Sequence, residues 1–125
     1  MRRVLAALAL VALAAAAALA GCGAGTGHGP VVPNGDAARG KRLIVHFGCG
    51  GCHTIGGVPG ADARVGPRLP GFAGQHVIAG RLANTPANLV RWIMEPQQVD
   101  PGNDMPDLGV SRAQARDIAA YIYSQ

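Results

Sequence analysis

Two cysteines separated by two residues and followed directly by a histidine occur near the middle of the chain, as Cys49-Gly50-Gly51-Cys52-His53. This pattern is typical of covalent haem attachment, because the two thiols add to the haem vinyl groups and bring the adjacent histidine beneath the iron as an axial ligand. A zinc site normally needs a second pair of Cys or His ligands, and the sequence has no such pair at similar spacing. The pattern therefore predicts a c-type haem, with a redox dithiol or a metal knuckle as the alternatives.

The second axial ligand is predicted in the irregular segment Gln97 to Gly109, where Met105 precedes Pro106. A proline biases the residue before it towards an extended conformation, so this loop is stiffened around Met105. A thioether sulfur favours ferrous iron and raises the reduction potential, and an occupied site keeps oxygen out. Met105 is therefore the candidate for the sixth position of an electron-transfer haem.

Other histidines and methionines were weighed for the same role. His76 is the main rival to Met105, because it lies in a loop and on a possible amphipathic turn with Ile78. His46 is tied to the same short segment as His53, so we interpret it as a surface residue. His28 falls in a Gly/Pro-rich stretch and is interpreted as solvated. Met94 lies beside a core position of a helix and is interpreted as packing or surface.

Three helices are predicted to position these residues, each with apolar side chains at three- and four-residue spacing. Their expected limits are Asn34 or Asp36 to about Phe47, Thr85-Pro86 to Pro96, and a capping box of Ser111 and Gln114 that opens the last helix. Gly40 in the middle of the first helix costs up to about 1 kcal/mol relative to alanine. Close approach of the last helix at Gly40 is the expected compensation.

The segment between the first two helices, Thr54 to Ala83, is rich in Gly and Pro and is predicted to be mostly a wrapping loop. An iron-bound imidazole usually donates its other ring N–H to a carbonyl, and the rigid turn at Gly66-Pro67 suits such a carbonyl. Trp92, the only tryptophan of the chain, is expected to pack in the core with its indole N–H available to a haem propionate.

The amino terminus has the pattern of a targeting signal. Arg2-Arg3 precede the apolar stretch Val4 to Ala20, and small residues lead to Cys22. The run Leu-Ala-Gly-Cys resembles a bacterial lipobox, which implies lipidation of Cys22; an ordinary secretory peptide or an uncleaved anchor is the alternative. We expect residues 1–21 to be a signal peptide, 22–34 a flexible linker and 35–125 the folded domain. Cys22 would go to lipid and the other two cysteines to haem, which leaves no free thiol.

Composition limits the size and the partners of the domain. A chain of 125 residues with 4% aromatic side chains, 19 glycines and nine prolines allows one small, loop-rich domain whose folding depends on its cofactor. Removing Arg2 and Arg3 from 11 basic residues leaves nine, against seven acidic ones. This mild excess does not predict nucleic-acid binding, and it is compatible with docking to an acidic patch on a redox protein.

The haem motif, Gly66-Pro67, Met105-Pro106 and the terminal helix together resemble class I cytochrome c over roughly residues 35–125. The runs CHTIGG, AGRLANTPANLVRWI and PGNDMPDLG are similar to the cytochrome c domain fused to subunit II of some bacterial haem-copper oxidases, which passes electrons to a di-copper centre. The resemblance implies a small all-α fold, with three to four helices and long loops wrapped around one covalent haem c. It departs from the family at Ile44, where an aromatic residue is common.

The resemblance also implies roles for single residues. They are thioether attachment for Cys49 and Cys52, axial ligation for His53 and Met105, the carbonyl partner of His53 for Pro67, and a propionate-side network for Asn84 and Trp92. The copper-binding domain of the oxidase subunits is not in this sequence, so we expect any link with an oxidase to be through association.

These observations lead to one main hypothesis. The protein is expected to be a single-haem electron carrier rather than an enzyme, anchored to a bacterial membrane through lipidated Cys22 and facing the periplasm. Its expected donor is a quinol-oxidising complex and its expected acceptor a haem-copper oxidase. The alternatives are a fixed subunit of a larger oxidase or dehydrogenase, and a haem enzyme or gas sensor in which Met105 leaves the iron.

Overall fold

The computed structural model describes residues 29–125, which form helices joined by long loops. This part of the chain contains four α-helices, a two-stranded hairpin and two 3₁₀ turns. In chain order they are α1 (Ala37–His46), a turn at Cys49–Gly51, a turn at Phe72–Gly74, β1 (Val77–Ile78), β2 (Leu82–Ala83), α2 (Pro86–Met94), α3 (Pro96–Val99) and α4 (Arg112–Tyr123). The expected small all-α fold is confirmed. The predicted signal peptide, Cys22 and His28 lie outside the described residues.

The helices begin at the caps that the sequence predicts. The Asp36 side chain accepts a hydrogen bond from the Arg39 N–H at 2.9 Å and opens α1. Thr85 caps α2, and Ser111 forms a capping box with Gln114 at the start of α4. Side-chain oxygens at these positions replace the hydrogen-bond acceptors that the first turn of a helix lacks. Within residues 29–125, no helix combines the length and the apolar character needed to cross a membrane.

Helices α1 and α4 form the main helix pair of the domain, and they cross at Gly40 as predicted. A Cβ atom at Gly40 would overlap the Asp117 carbonyl oxygen of α4. Ile44 of α1 and Ile118 of α4 are almost fully buried, with 1% and 2% of their surfaces exposed. The absent side chain thus lets the two helix backbones approach closely, and the contact between the helices is buried.

A buried carboxylate at the same crossing was not expected. Asp117 is 5% exposed, and it accepts hydrogen bonds from the Asp36 N–H at 2.8 Å and from Arg39 Nε at 2.8 Å. Arg39 is a charged residue on the outer side of α1. Its guanidinium is half exposed, but it is paired across the crossing and is not free.

A short hairpin lies in a segment that the sequence predicts to be a loop. β1 and β2 pair as an antiparallel hairpin within the predicted loop, with Val77 opposite Ala83. The turn residues Ala79 and Gly80 both have positive φ, 50° and 67°. Two positive φ angles match the twist of a tight hairpin, and an alanine at the first position does not signal one.

Pro96 does more than end α2. It opens the short helix α3 at the first helical position, where the missing N–H of a proline has no structural cost. The beginning of the segment that we predicted as irregular is therefore helical.

Residues 29–34 belong to the folded domain, although the composition assigned them to a flexible linker. Val32 is 7% exposed and its carbonyl accepts a hydrogen bond from the Gly35 N–H at 3.1 Å. A Cβ atom at Gly29 would contact Ala73 and the Tyr123 carbonyl. Val32 buries its apolar side chain against the domain, and this burial was not evident from the Gly and Pro content of the stretch.

Candidate haem-binding site

One cavity of about 350 Å³ lies between α1, α2, α4 and the two long loops. Its wall is largely apolar and includes Ile44, Leu69, Phe72, Ile78, Leu89 and Ile118. Cys49, Cys52, His53 and Met105 all line it as well. The structure therefore brings the two cysteines, the histidine and the methionine of the sequence prediction around one apolar space.

The two cysteines and the histidine come from one tight turn at the end of α1. Gly48, with a φ of 70°, reverses the chain after the helix. The N–H groups of Cys52 and His53 then both donate to the Cys49 carbonyl, at 3.2 and 3.0 Å. Cys49 is half-buried and Cys52 is exposed, and the two are not joined in a disulfide. Burial raises the pKa of the Cys49 thiol.

The orientation of His53 is set by the loop that passes over it. His53 Nδ1 lies 2.8 Å from the Pro67 carbonyl oxygen, which is the hydrogen bond expected from the sequence. Since the carbonyl can only accept, Nδ1 carries the proton, and Nε2 keeps its lone pair for a metal. Gly66 packs against the ring, and a Cβ atom there would lie 2.5 Å from His53 Cε1.

Met105 is half-buried, and its backbone is held by two side-chain amides. Its N–H donates to Asn103 Oδ1 at 2.8 Å, and its carbonyl accepts from Gln97 Nε2 at 2.8 Å. Neither Gln97 nor Asn103 was predicted as a site residue from the sequence. A signal was available in the Pro-Gly dipeptide before Asn103, because Gly102 has a φ of 85° and the Asn103 N–H bonds to the Asp100 carbonyl, as in a type II turn.

The structure places the two propionate-side candidates differently. Trp92 is half-buried and lines the cavity. Asn84 is not among the cavity-lining residues, and its amide N–H groups both donate to protein carbonyls, those of Phe72 and Gln75, at 2.9 Å each. The Asn84 amide thus secures the loop that carries Phe72, and its part in a propionate-side network stays a prediction.

The Asn84 amide oxygen completes this network with α4. It accepts a hydrogen bond from the Tyr123 hydroxyl at 2.7 Å. Tyr123 is 3% exposed, and its burial raises the pKa of the phenol to about 12. Tyr123 therefore joins the terminal helix to the loop behind the cavity.

The rival ligands do not reach the cavity. His76 is exposed and is not among the lining residues. His46 is exposed and packs edge-on against Phe47, with 5.0 Å between ring centroids. In the part of the chain that the structure describes, no three His, Cys, Asp or Glu side chains converge as a direct metal site.

The donor set around the cavity fits haem c. Two thiols at the C-x-x-C spacing, an imidazole with a free Nε2, and a thioether all face an apolar space. Thiols serve for covalent attachment, and an imidazole with a thioether forms the axial pair of electron-transfer haems. The types of residue present thus fit the attachment and ligation of this cofactor.

Comparison with known proteins also indicates a haem protein of this kind. The model of the family described as Cytochrome c matches residues 37–125. A cytochrome c oxidase subunit 2 from Alkalihalophilus pseudofirmus is 36% identical over 89 residues, which cover 70% of this chain and 25% of the relative. A cytochrome c2 from Rhodopila globiformis is 35% identical over 103 residues, which cover 72% of this chain and 93% of the relative. The chain thus spans about a quarter of the length of that oxidase subunit. No solved structure matches it.

Proposed function

The chain belongs to the cytochrome c family, whose cofactor is covalently bound haem c, and on this premise we propose a single-electron carrier ligated by His53 and Met105. Cys49 and Cys52 are the proposed attachment points. When bound, haem c supplies an iron that gains and loses one electron. The observation that carries the proposal is one apolar cavity that all four side chains line.

His53 is suited to its role by the Pro67 contact. The hydrogen bond at 2.8 Å holds the ring in one tautomer and raises the basicity of Nε2. The short turn from Cys49 to His53 places the proposed attachment points of the haem and the proposed histidine ligand of its iron within five consecutive residues. We therefore assign His53 as the permanent ligand, which stays on the iron in both oxidation states.

Met105 makes the site suitable for electron transfer rather than for ligand chemistry. A soft thioether stabilises ferrous iron and raises the reduction potential. It also occupies the position at which oxygen or carbon monoxide would bind. The loop that carries Met105 is hydrogen-bonded on both sides of the residue, which supports a ligand that stays in place during turnover.

A spectroscopic comparison of two isosteric variants tests this ligation. The haem-loaded parent, Met105→Leu and Met94→Leu would be compared for the weak long-wavelength band of ferric iron bound to methionine. Leucine conserves the volume of methionine, so both variants should fold. We expect the band in the parent and in Met94→Leu, and its loss in Met105→Leu together with rapid carbon monoxide binding. A parent without the band, or its persistence in Met105→Leu, would reject the proposed ligand.

A terminal haem-copper oxidase is the proposed acceptor, and a quinol-oxidising complex the proposed donor. The acceptor is supported by the 36% identity to a protein described as cytochrome c oxidase subunit 2. The match over 93% of the length of a cytochrome c2 supports a free carrier rather than a fixed subunit. Reduced protein added to membranes of its own organism should be oxidised in a cyanide-sensitive manner. Co-purification with an oxidase through detergent and high salt would favour the subunit alternative.

Membrane attachment through Cys22 completes the proposal. Residues 1–21 would be removed as a signal peptide, and lipidated Cys22 would hold the protein at a membrane, facing the periplasm. The variant Cys22→Ser should move the protein to the soluble periplasmic fraction with its haem spectrum unchanged. Retention in the membrane fraction would favour an uncleaved apolar anchor.

A further inference from the structure

The backbone of Met105 is held by side chains rather than by secondary structure. Its N–H donates to Asn103 Oδ1, and its carbonyl accepts from Gln97 Nε2, both at 2.8 Å. Pro106, which follows, has no N–H to contribute. Two amide side chains therefore account for the hydrogen bonds of both polar backbone groups at the proposed ligand.

These two amides are themselves fully engaged. Asn103 Nδ2 donates to the carbonyls of Pro96 at 3.0 Å and Asp100 at 2.7 Å. Gln97 Nε2 also donates to the Asn103 carbonyl at 2.8 Å, and Gln97 Oε1 accepts from the Gly102 N–H at 3.1 Å. Each donor and acceptor has a partner, so neither side chain can rotate without leaving a polar group unpaired.

The amides are connected to the rigid part of the molecule through α3. Pro96 is buried and begins that helix, and Gln97 is its second residue. Asp100, which follows α3, forms an ion pair with Arg81 of the hairpin turn at 2.8 Å. The Met105 loop is thus hydrogen-bonded to α3, and the residue after α3 is joined to the hairpin turn by an ion pair.

We propose that Gln97 and Asn103 are positioning residues that keep the Met105 thioether at the iron, an inference that rests on the His53/Met105 ligation proposed above. A thioether is a soft ligand and binds the harder ferric iron less firmly than the ferrous. Retention of Met105 after oxidation therefore depends on the stiffness of its loop. The amides supply that stiffness, because movement of Met105 away from the cavity breaks hydrogen bonds on both sides of the residue.

The test compares Gln97→Glu with Gln98→Glu in the haem-loaded protein. At position 97 the change keeps the acceptor for the Gly102 N–H, but it turns the donor into an oxygen that faces the Asn103 and Met105 carbonyls. Gln98 is exposed and adjacent on α3, so its variant adds the same charge without that conflict. We expect the ferric methionine band of Gln97→Glu to fall to less than half, and carbon monoxide to bind its ferrous form at least tenfold faster, with Gln98→Glu parent-like.

A lower reduction potential in Gln97→Glu than in Gln98→Glu is the third expected result, because a less firmly held thioether stabilises ferrous iron less. The charge change is the same in both variants, so the added charge by itself does not account for the difference. If Gln97→Glu does not accumulate with haem, Gln97→Leu is measured against Gln98→Leu with the same expectations. Equal bands and carbon monoxide rates in the matched variants would overturn the inference, even if thermal stability falls, because the amide would then act only in folding. A parent without the methionine band would instead overturn the proposed ligation and, with it, this inference.

Discussion

His53 differs from the other described histidines in its immediate contacts, not in its residue type. Its Nδ1 is bound by the Pro67 carbonyl at 2.8 Å and its ring packs on Gly66. His46 and His76 are exposed and lie outside the cavity lining. A carbonyl that fixes the tautomer, and a glycine that leaves space for the ring, are what make one imidazole available to a metal.

Gly66→Ala should disturb His53 directly. The added methyl group would lie 2.5 Å from His53 Cε1, so the ring must tilt away from the Pro67 carbonyl. We expect the free energy of unfolding of haem-loaded Gly66→Ala to be at least about 2 kcal/mol lower than that of the parent, in the upper part of the range for overpacking. The haem absorption spectrum of the variant should also be altered. Gly74→Ala is the control, because a Cβ atom there has nothing within 4 Å. A parent-like spectrum for Gly66→Ala would show that the ring is not constrained from this side.

Tyr123 should make the protein sensitive to alkali. Its pKa is raised from 10.0 to about 12 by burial, so the folded state keeps a proton that the unfolded state loses between those values. The free energy of unfolding should therefore fall as pH rises through this interval. Tyr123→Phe should lose about 1 kcal/mol at pH 7 with its hydrogen bond to Asn84, and should show a flatter decline between pH 10 and 12.

Denaturant unfolding of Tyr121→Phe provides the comparison for this prediction. That variant also loses a hydroxyl hydrogen bond of 2.7 Å, to the Gly56 carbonyl, but it keeps Tyr123. Equal alkaline slopes in Tyr123→Phe and in the parent would contradict the assigned role of the phenol.

At the scale of elements, the crossing of α1 and α4 combines a missing side chain with a buried charge. Gly40 lets the backbones meet, and Asp117 then accepts hydrogen bonds from the Asp36 N–H and the Arg39 guanidinium across the contact. The first-turn N–H groups of a helix favour a negative charge nearby. One carboxylate of α4 therefore stabilises the start of α1 as well as the helix pair.

Asp117→Asn should weaken this crossing and change its response to acid. The hydrogen bond from Arg39 lowers the pKa of Asp117 below its ordinary value of 3.8, so unfolding takes up a proton in acid. Its stabilising contribution is complete above that ordinary value and is lost as pH falls from there through the lower pKa of the folded state. We expect a loss of roughly 1–3 kcal/mol at pH 7, measured by denaturant unfolding, and a smaller difference between variant and parent below about pH 4. Asp62→Asn, at an exposed position, should match the parent at both pH values.

At the scale of the whole molecule, many of the buried apolar side chains surround one cavity. Helices α1, α2 and α4 each contribute apolar side chains to the cavity wall, and the two long loops close it. A cavity of about 350 Å³ costs at most roughly 8 kcal/mol at about 24 cal/mol per Å³. That figure is comparable with the entire stability of a small domain, about 5–15 kcal/mol.

The chain without haem should therefore not fold cooperatively. We expect the double variant Cys49→Ala/Cys52→Ala, isolated free of haem, to keep part of its far-ultraviolet helical signal but to lose its near-ultraviolet signal. Its urea unfolding should be gradual, whereas the haem-loaded parent should unfold in one sharp transition. Circular dichroism of the two proteins, at equal concentration and pH, checks this. A sharp transition of the haem-free variant at the parent's midpoint would contradict the dependence of folding on the cofactor.

The sequence alone was sufficient for several features that depend on neighbouring residues. The three helix caps and the cofactor follow from residues within four or five positions of one another, because backbone hydrogen bonding and the C-x-x-C-H spacing are local. The Gly40 crossing was also predictable, since a glycine within a helix needs a compensating contact.

Only the tertiary structure decided which distant groups meet. Arg39 is hydrogen-bonded to Asp117, and Asn84 is hydrogen-bonded to Tyr123. These pairs are 78 and 39 residues apart in the chain. The amides around Met105 and the burial of Val32 likewise went unpredicted, because Gln, Asn and Val suit many environments equally well. Partners of this kind are selected by how helices cross and where loops return, and these are properties of the packed chain rather than of any short segment.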